Sequence, residues 1–469
     1  MATDASNDEI LSEATLPCGR KLRNRLVKVA LYEHLATFHG GPPNAMHHAL
    51  YACWATGGWG MIITGNVQVA SDQLGLGRDV VVPADISPSS PTLHPFVRWA
   101  ELIHGLGVGG EGKARNGGGE KAETEPGTLA IMQIVHTGRQ SPNFLGGRAL
   151  FVPPKAPSAG PDGLEDAARV GVVVEQPAVP NPEGDECKGR GGRGSGVREG
   201  CAACGEDGVR WGADTCCAWM GEILMFVLVD LICQFMSQQA NIRTDEYSSR
   251  TNPLLFLHRI VTAIRLPGVV PADFVLGIKL NAADYVDTAA GIVASEDRAL
   301  EHLQAIAGWG LLDFIEVEDE GLTRLAHPDF LLGGSQSRRQ AIFEGFSKRA
   351  MQTLATDDPN QTPSNKKRPL IILTGGLTTP EFMRSALAHK HTDLLGIGRS
   401  AVTHPDLPHQ LSSTAPLTSS FPLFSPNPNP ALSLPPLHAI EHALVGLLLT
   451  LWDLLPVSVQ PTIPNLIEL

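Results

Sequence analysis

Basic charge is scarce in this chain. Its 36 Lys and Arg are outnumbered by 49 Asp and Glu, which leaves a formal net charge of −13 over 469 residues. A surface of that sign excludes sequence-independent nucleic-acid binding, which needs a basic footprint to displace counterions from phosphates. Cysteine is also sparse. Eight Cys in 469 residues do not make a disulfide framework, and a reducing compartment, the cytoplasm, is the expectation. Cys201-Ala202-Ala203-Cys204 and Cys216-Cys217 lack the spacing of paired zinc knuckles and sit in low-complexity sequence, so no metal site is expected. The opening stretch from Met1 to Ala14 is polar and acidic, without the basic region and apolar run of a secretory signal. Gly192 to Gly196 has no Lys-Ser/Thr ending and is not a P-loop.

Uninterrupted apolar runs of membrane-spanning length are missing as well. Ala218 to Met236 comes nearest, but Glu222 and Asp230 break it. Strands of a parallel sheet are buried on both faces and read as continuous apolar runs, and that is the reading adopted for this stretch. His438 to Leu455 contains Glu441, His442 and Asp453. It reads as an apolar helix packed on the fold, on a membrane surface or on a second subunit. No transmembrane span is expected, and a homo-oligomer is one of the arrangements left open.

What is present is ordinary globular material, 43% hydrophobic and 18% charged. A unit recurs along the chain: an amphipathic helix, a glycine-containing turn, then a short apolar strand. In the first copy Met46, Leu50, Cys53 and Trp54 fall on one helical face. Gly57, Gly58 and Gly60 follow, and then Met61-Ile62-Ile63-Thr64. A second copy runs through Ala299 to Ala307, Gly308, Gly310 and Leu311 to Val317. A third runs from Pro380 to Ala388 into Asp393 to Gly396, with Thr379 as helix cap and Pro380 at the first helical position. Strands alternating with helices indicate parallel pairing.

Eight strands are expected near 25–32, 60–66, 129–136, 221–229, 274–281, 312–317, 370–375 and 393–397. Eight is the strand count of a (β/α)8 TIM barrel, which needs roughly 250 residues and tolerates insertions. A doubly wound open sheet is the alternative. The expected domain spans 16–408, with low-complexity insertions at about 105–127 and 165–217. A Pro/Ser-rich linker over 409–437 and an apolar helix and tail over 438–469 follow. The region from about 165 to 230, rich in Gly and Arg and holding most of the cysteines, reads either as an unusual insertion or as retained non-coding sequence.

Barrel active sites lie at the C-terminal ends of the strands, so residues there are the candidates. Gln133 on the third strand, with His136, Gly138 and Arg139 just beyond, offers donors and acceptors at the barrel mouth. The plainer reading is a strand-to-loop turn. Thr374-Gly375-Gly376 after the seventh strand and Gly396-Ile397-Gly398-Arg399 at the eighth let backbone N–H groups approach a phosphate, with Arg399 adding charge. Lys279 is a charge within an apolar strand and should face an anionic ligand or a carboxylate.

Several segments, in this order, resemble the Old Yellow Enzyme-like NADH:flavin oxidoreductases. They are Leu22 to Lys28, Gly57 to Val67, Gln133 to Gln140 with Ala156 to Ala159, Gln234-Phe235, Arg243 to Tyr247, Thr374 to Gly376 and Gly396 to Arg399. The resemblance covers roughly 16–104, 129–160 and 221–408. It implies a TIM barrel with FMN at its mouth and hydride transfer from NADH or NADPH, through the flavin, to an activated alkene such as an enone. By position it places Ala30, Tyr32, Asn66, Gln133, Lys279, Gly375, Gly376, Gly398 and Arg399 around FMN, and His136 and Arg139 at a small-molecule substrate. The family's fourth strand carries a His-x-x-His or His-x-x-Asn pair and a following Tyr. Met225, Leu228 and Asp230 stand at those positions, and neither Met nor Leu can donate a hydrogen bond to a developing oxyanion. Impaired catalysis, or a non-catalytic barrel that holds FMN or another phosphate-bearing ligand as a scaffold, is implied. Tyr32 replaces a small residue, and Ser248-Ser249-Arg250 replaces Gly-Gly-Ser.

Overall fold

The computed structural model describes residues 8–105, 127–158, 202–203, 211–212, 224–227, 230–281, 292–318, 336–355 and 368–413, apart from 88, 150–151, 239 and 378. Eight strands in this chain are short apolar runs: β1 Leu26–Lys28, β2 Met61–Gln68, β3 Leu129–Val135, β4 Leu224–Val227, β5 Leu276–Asn281, β6 Phe314–Glu318, β7 Leu370–Thr374 and β8 Leu394–Ile397. Each pairs in parallel with the next. β8 pairs in parallel with β1, at Leu395 to Leu26 and Gly396 to Val27, and closes the ring. Closure removes both sheet edges and excludes the open doubly wound sheet. A short strand, Val80–Val81, adds in parallel to the end of β2 outside the ring.

Helices follow the strands: α1 Ala45–Ala55, α2 His94–Ile103, α3 Asp230–Met236, α4 Leu255–Ile264, α5 Ile292–Gly308, α6 Gln336–Ala355, α7 Pro380–Ala388, α8 Arg399–Thr403 and α9 Leu407–Ser412. Thr379 caps α7 by accepting the Phe382 N–H at 3.3 Å, with Pro380 in the first turn. The face of α1 differs from the expectation. Met46 and Cys53 are exposed, and His47, Tyr51, Trp54 and Ala55 are buried. The helix is rotated by about one residue because its aromatics have a better place to go. Tyr51 packs edge-on to Trp54 and to Trp99 of α2, and the Trp54 indole donates to Ala401 O at 2.7 Å. Large rings carry more buried area than Met46 or Cys53, so they set the rotation.

Strand residues are buried on both faces: Ile62, Ile63, Ile131, Ile278, Ile315, Ile371 and Leu395 are at most 2% exposed. Packing is complementary in size across strands. A Cβ on Gly277 would lie 2.3 Å from the Phe314 ring of the next strand, so the ring occupies the space that glycine leaves. Asp313 ties the structure together just before β6. It is 2% exposed and accepts from Cys18 N at 2.8 Å, Leu276 N at 2.8 Å and the Arg265 guanidinium at 2.7 Å. The Cys18 thiol is pushed up to about 12, first by burial and then by the Asp313 charge.

The stretch Ala218 to Met236, tested above as a span, contains β4 and α3. Among the described residues no helix is long and apolar enough to cross a membrane. The four cysteines weighed as zinc ligands, the segment 438–469 and most of the low-complexity stretches lie outside the described residues; within the second insertion Ala202–Ala203 and Trp211–Gly212 pair antiparallel, and α9 takes the first residues of the expected linker.

Candidate active site

The C-terminal ends of the strands gather an unusual density of buried polar groups. Gln133 on β3 is the centre of one group. Its backbone N–H donates to Thr64 Oγ1 at 3.0 Å, and its side-chain nitrogen donates to Asn66 Oδ1 at 2.6 Å. Asn66 is its in-register partner on β2, so the pleat puts both side chains on one face. The residue is 3% exposed, yet its Oε1 has no hydrogen-bond partner. Folding leaves few buried acceptors unpaired; Gln68 Oε1 is another here, and the Gln133 oxygen is the one beside Asn66 on the candidate face.

Between Ile63 and Asn66 the β2–β3 register shifts, which marks a bulge at Thr64-Gly65. Three residues of β1, its following loop and α1 hold this bulge. The Gly65 N–H donates to Glu33 Oε1 at 2.9 Å and to the Tyr51 hydroxyl at 2.8 Å. The Tyr51 hydroxyl donates to Glu33, and Lys28 Nζ donates to Ile63 O at 3.1 Å. Lys28 is fully buried, its ammonium 4.1 Å from the Trp54 ring centre. Burial pushes Lys28 down to about 8, with the Glu33 and Glu316 charges pulling back upward. Burial raises the Glu33 carboxyl above its usual range against the opposing pull of Lys28.

Across the barrel, Lys279 on β5 is in register with Glu316 on β6, so the two share a face. Glu316 is fully buried and accepts from Thr374 Oγ1 of β7 at 2.8 Å. Of the two expectations for Lys279, an anionic ligand or a carboxylate, the register supplies a carboxylate neighbour in Glu316. At the end of β7, Gly375 and Gly376 take φ of 112° and 71°, backbone that favours glycine. Thr374 pairs with Gly396 of β8, so the two glycine turns lie side by side. A Cβ on Gly396 would lie 2.2 Å from Thr374 Oγ1 and 2.8 Å from Val29 Cγ1. Gly398 opens α8, and Arg399 is exposed there.

The remaining candidates fall as follows. Ala30 is half-buried beyond β1 and packs against the core. Tyr32 stacks on His34, and its hydroxyl donates to Asp79 and accepts from Leu76 N at 3.1 Å, which draws it toward the 75–79 turn. His136 is 9% exposed, accepts from Gly138 N through Nδ1 at 3.1 Å, and is pushed down to about 4 by burial, hence neutral. The Arg139 guanidinium donates to Ser158 O at 2.8 Å and Ala240 O at 3.2 Å, stapling two loops. Met225 lies on β4 between Met132 and Leu276. Asp230 opens α3, and Leu228 lies outside the described residues.

Comparison with known proteins finds relatives. A protein of Neonectria sp. (strain DH2) named NADH-dependent flavin oxidoreductase iliE is 30% identical over 412 residues, 87% of this chain. A Hypocrea jecorina (strain QM6a) protein of the same name is 28% identical over 403 residues, covering 84% of this chain and 86% of that protein. NADH-dependent flavin oxidoreductase iccE of Talaromyces variabilis is 29% identical, covering 84% of each. Over most of its length the chain is similar to NADH-dependent flavin oxidoreductases. It spans 47% of the Neonectria protein's length. No family model matches. Among solved structures, the Old Yellow Enzyme homologue from Zymomonas mobilis matches with a TM-score of 0.50 at 15% identity, covering 88% of this chain and 95% of that one. A 2-naphthoyl-CoA reductase complex matches at 0.55 and 13% identity, covering 86% of this chain and 52% of that one. These likenesses establish the barrel fold.

Within this barrel, Lys28, Glu33, Tyr51 and Glu316 were not singled out by sequence. Lys28 and Glu316 carried the signal that flagged Lys279, a charge inside an apolar strand. Glu33 and Tyr51 carried none, because a Glu in a loop and a Tyr on a helix are unremarkable until the fold brings them to Gly65. The residues present fit a flavin. The Gln133 oxygen could accept a ring N–H, Lys279 would add positive charge, and the half-buried Gly375, Gly376 and Gly398 would let backbone approach a phosphate.

Proposed function

We propose that this chain binds FMN at the barrel mouth and transfers hydride from NADH, through the flavin, to an activated alkene such as an enone. The observation that carries the proposal is the orphaned, buried Gln133 Oε1 beside Asn66. Bound FMN would supply the hydride chemistry, and the protein's part is to bind, orient and polarise. Gln133 would accept a ring N–H, with Asn66 holding the amide in place. Lys279 would place positive charge against the ring edge that becomes electron-rich on reduction. Gly375, Gly376, Gly398 and Arg399 would hold the phosphate. Ala30 and Tyr32 would border the ring. His136 and Arg139 would shape the substrate side, His136 as a neutral imidazole. NADH is preferred over NADPH as the reductant because the curated relatives are named for it.

The substrate end is weaker than the cofactor end. With Met225 and Leu228 at the positions of the family's donor pair, an enone oxygen gains negative charge without a hydrogen bond there. Such a loss costs about 3 kcal/mol of transition-state stabilisation. The same two residues favour the second reading, a flavin-holding barrel that does not turn over.

The test uses purified protein. A yellow protein with flavin absorbance, bleached by NADH without oxygen and recoloured by cyclohexenone, supports the oxidoreductase. Colour that NADH never bleaches leaves the scaffold reading. A colourless protein that takes up no added FMN sinks both.

A further inference from the structure

We propose that Lys28, Tyr51 and Glu33 are positioning residues of the cofactor site: they pin the Thr64-Gly65 bulge of β2 and thereby fix Asn66 against Gln133. The inference rests on the FMN reading above. A bulge forfeits ladder hydrogen bonds, and the freed backbone groups need other partners if they are buried. Here the partners come from outside the sheet. The Ile63 carbonyl goes to Lys28 and the Gly65 N–H is shared by Glu33 and Tyr51. From the other side, Thr64 Oγ1 donates to Gly65 O at 2.9 Å and receives the Gln133 N–H. The bulge is thus clamped on both flanks, and the next residue is Asn66.

Two further observations separate a positioning device from ordinary core polarity. No side chain is tolerated at Gly65: a Cβ there would lie 1.8 Å from Glu33 Oε2 and 2.4 Å from Leu31 O. The carboxylate has taken the space a side chain would fill. Lys28 is fully buried on the helix side of β1, under Tyr51 and Trp54. A buried charge is expensive, and apolar residues of similar size usually serve stability as well or better. Retaining a Lys–Glu–Tyr cluster at one bulge is explained by geometry it enforces. Bulges recur beside active sites because they re-aim a side chain. In this barrel the re-aimed side chain is Asn66, whose contact with Gln133 leaves the Gln133 acceptor turned to the cofactor.

The test is a double-mutant cycle on FMN affinity, read by quenching of flavin fluorescence as the cofactor-free full chain is titrated. Glu33→Ala and Tyr51→Phe should each weaken FMN about tenfold. Glu33→Gln, which keeps an oxygen for the Gly65 N–H, should restore affinity to within about threefold of wild type. In a Gln133→Ala background the Glu33→Ala and Tyr51→Phe effects should shrink toward zero, because both act through Gln133. Melting temperatures of all variants are recorded alongside; if Glu33→Ala does not fold, the milder Tyr51→Phe cycle decides. Additive effects, or full FMN affinity in Tyr51→Phe, overturn the proposal. A wild-type chain that binds no FMN removes the cofactor reading itself, a result distinct from wild-type binding with additive variants.

Discussion

Replacing Gln133 by Met should leave the cofactor-free protein as stable as before or make it more stable, while weakening FMN. Gln133 is 3% exposed and makes one side-chain hydrogen bond, to Asn66, while its Oε1 has no partner. Losing the Asn66 bond costs about 1 kcal/mol. Asn66 is only half-buried, so its freed oxygen can turn to water. Removing the buried orphan acceptor returns about 1–3 kcal/mol of desolvation penalty. Met fills nearly the same volume without strain. The sum is a gain of about 0 to 2 kcal/mol for the cofactor-free chain. With FMN the balance reverses, since the acceptor that was idle would now be bonded, and affinity should fall about tenfold. Urea denaturation with and without FMN measures both numbers, provided the slope m stays at its wild-type value. A cofactor-free variant destabilised by more than about 2 kcal/mol, with FMN affinity intact, would show that Gln133 is structural and that the orphan acceptor says nothing about a ligand.

Asp313→Ala removes the acceptor for two backbone N–H groups and the Arg265 guanidinium, and should cost about 3–5 kcal/mol in urea denaturation. A loss under about 1 kcal/mol would contradict its role as a tie between the N-terminal segment, β5 and β6. His136 is held down at about 4, below the 6.5 of a free imidazole, so its folded form refuses a proton that the unfolded chain accepts. Its contribution is complete above pH 6.5 and is lost as pH falls toward 4, by up to about 3 kcal/mol. His136→Asn should therefore flatten the fall of stability between those two pH values, and a slope identical to wild type would refute the assignment. Introducing Met225→His together with Leu228→Asn should raise the rate of enone-dependent flavin reoxidation by about 10²-fold in stopped flow. No gain would mean that the substrate end differs by more than its donors.

Much of the barrel was legible in the chain. Each of the eight strands lies where a mostly apolar run bounded by turn residues had placed it, because a strand buried on both faces is apolar wherever it carries no partnered polar group. Thr379 and Pro380 announced α7 through capping chemistry alone. The face of α1 was misjudged, since hydropathy ranks Met46 and Cys53 with the buried set while packing favoured Tyr51 and Trp54. As candidates for the site, Gln133, Lys279 and the two glycine turns stand out by residue type and place on a strand. Glu33 and Tyr51 could not, because nothing in a loop Glu or a helical Tyr tells which backbone amide it will meet.

The sequence by itself determined the apolar runs of the eight barrel strands, their alternation with helices and the glycines at the ends of β7 and β8, all of which follow from local composition and stereochemistry. Only the tertiary structure decided closure of the ring through β8 and β1, and which polar groups were buried together. Gln133 meets Asn66 from 67 residues away, Cys18 meets Asp313 from 295 residues away, and Lys28, Glu33 and Tyr51 converge on one bulge. The reason is physical: burial and hydrogen bonding are pairwise between distant segments, and register, which a linear pattern does not carry, fixes the pairs.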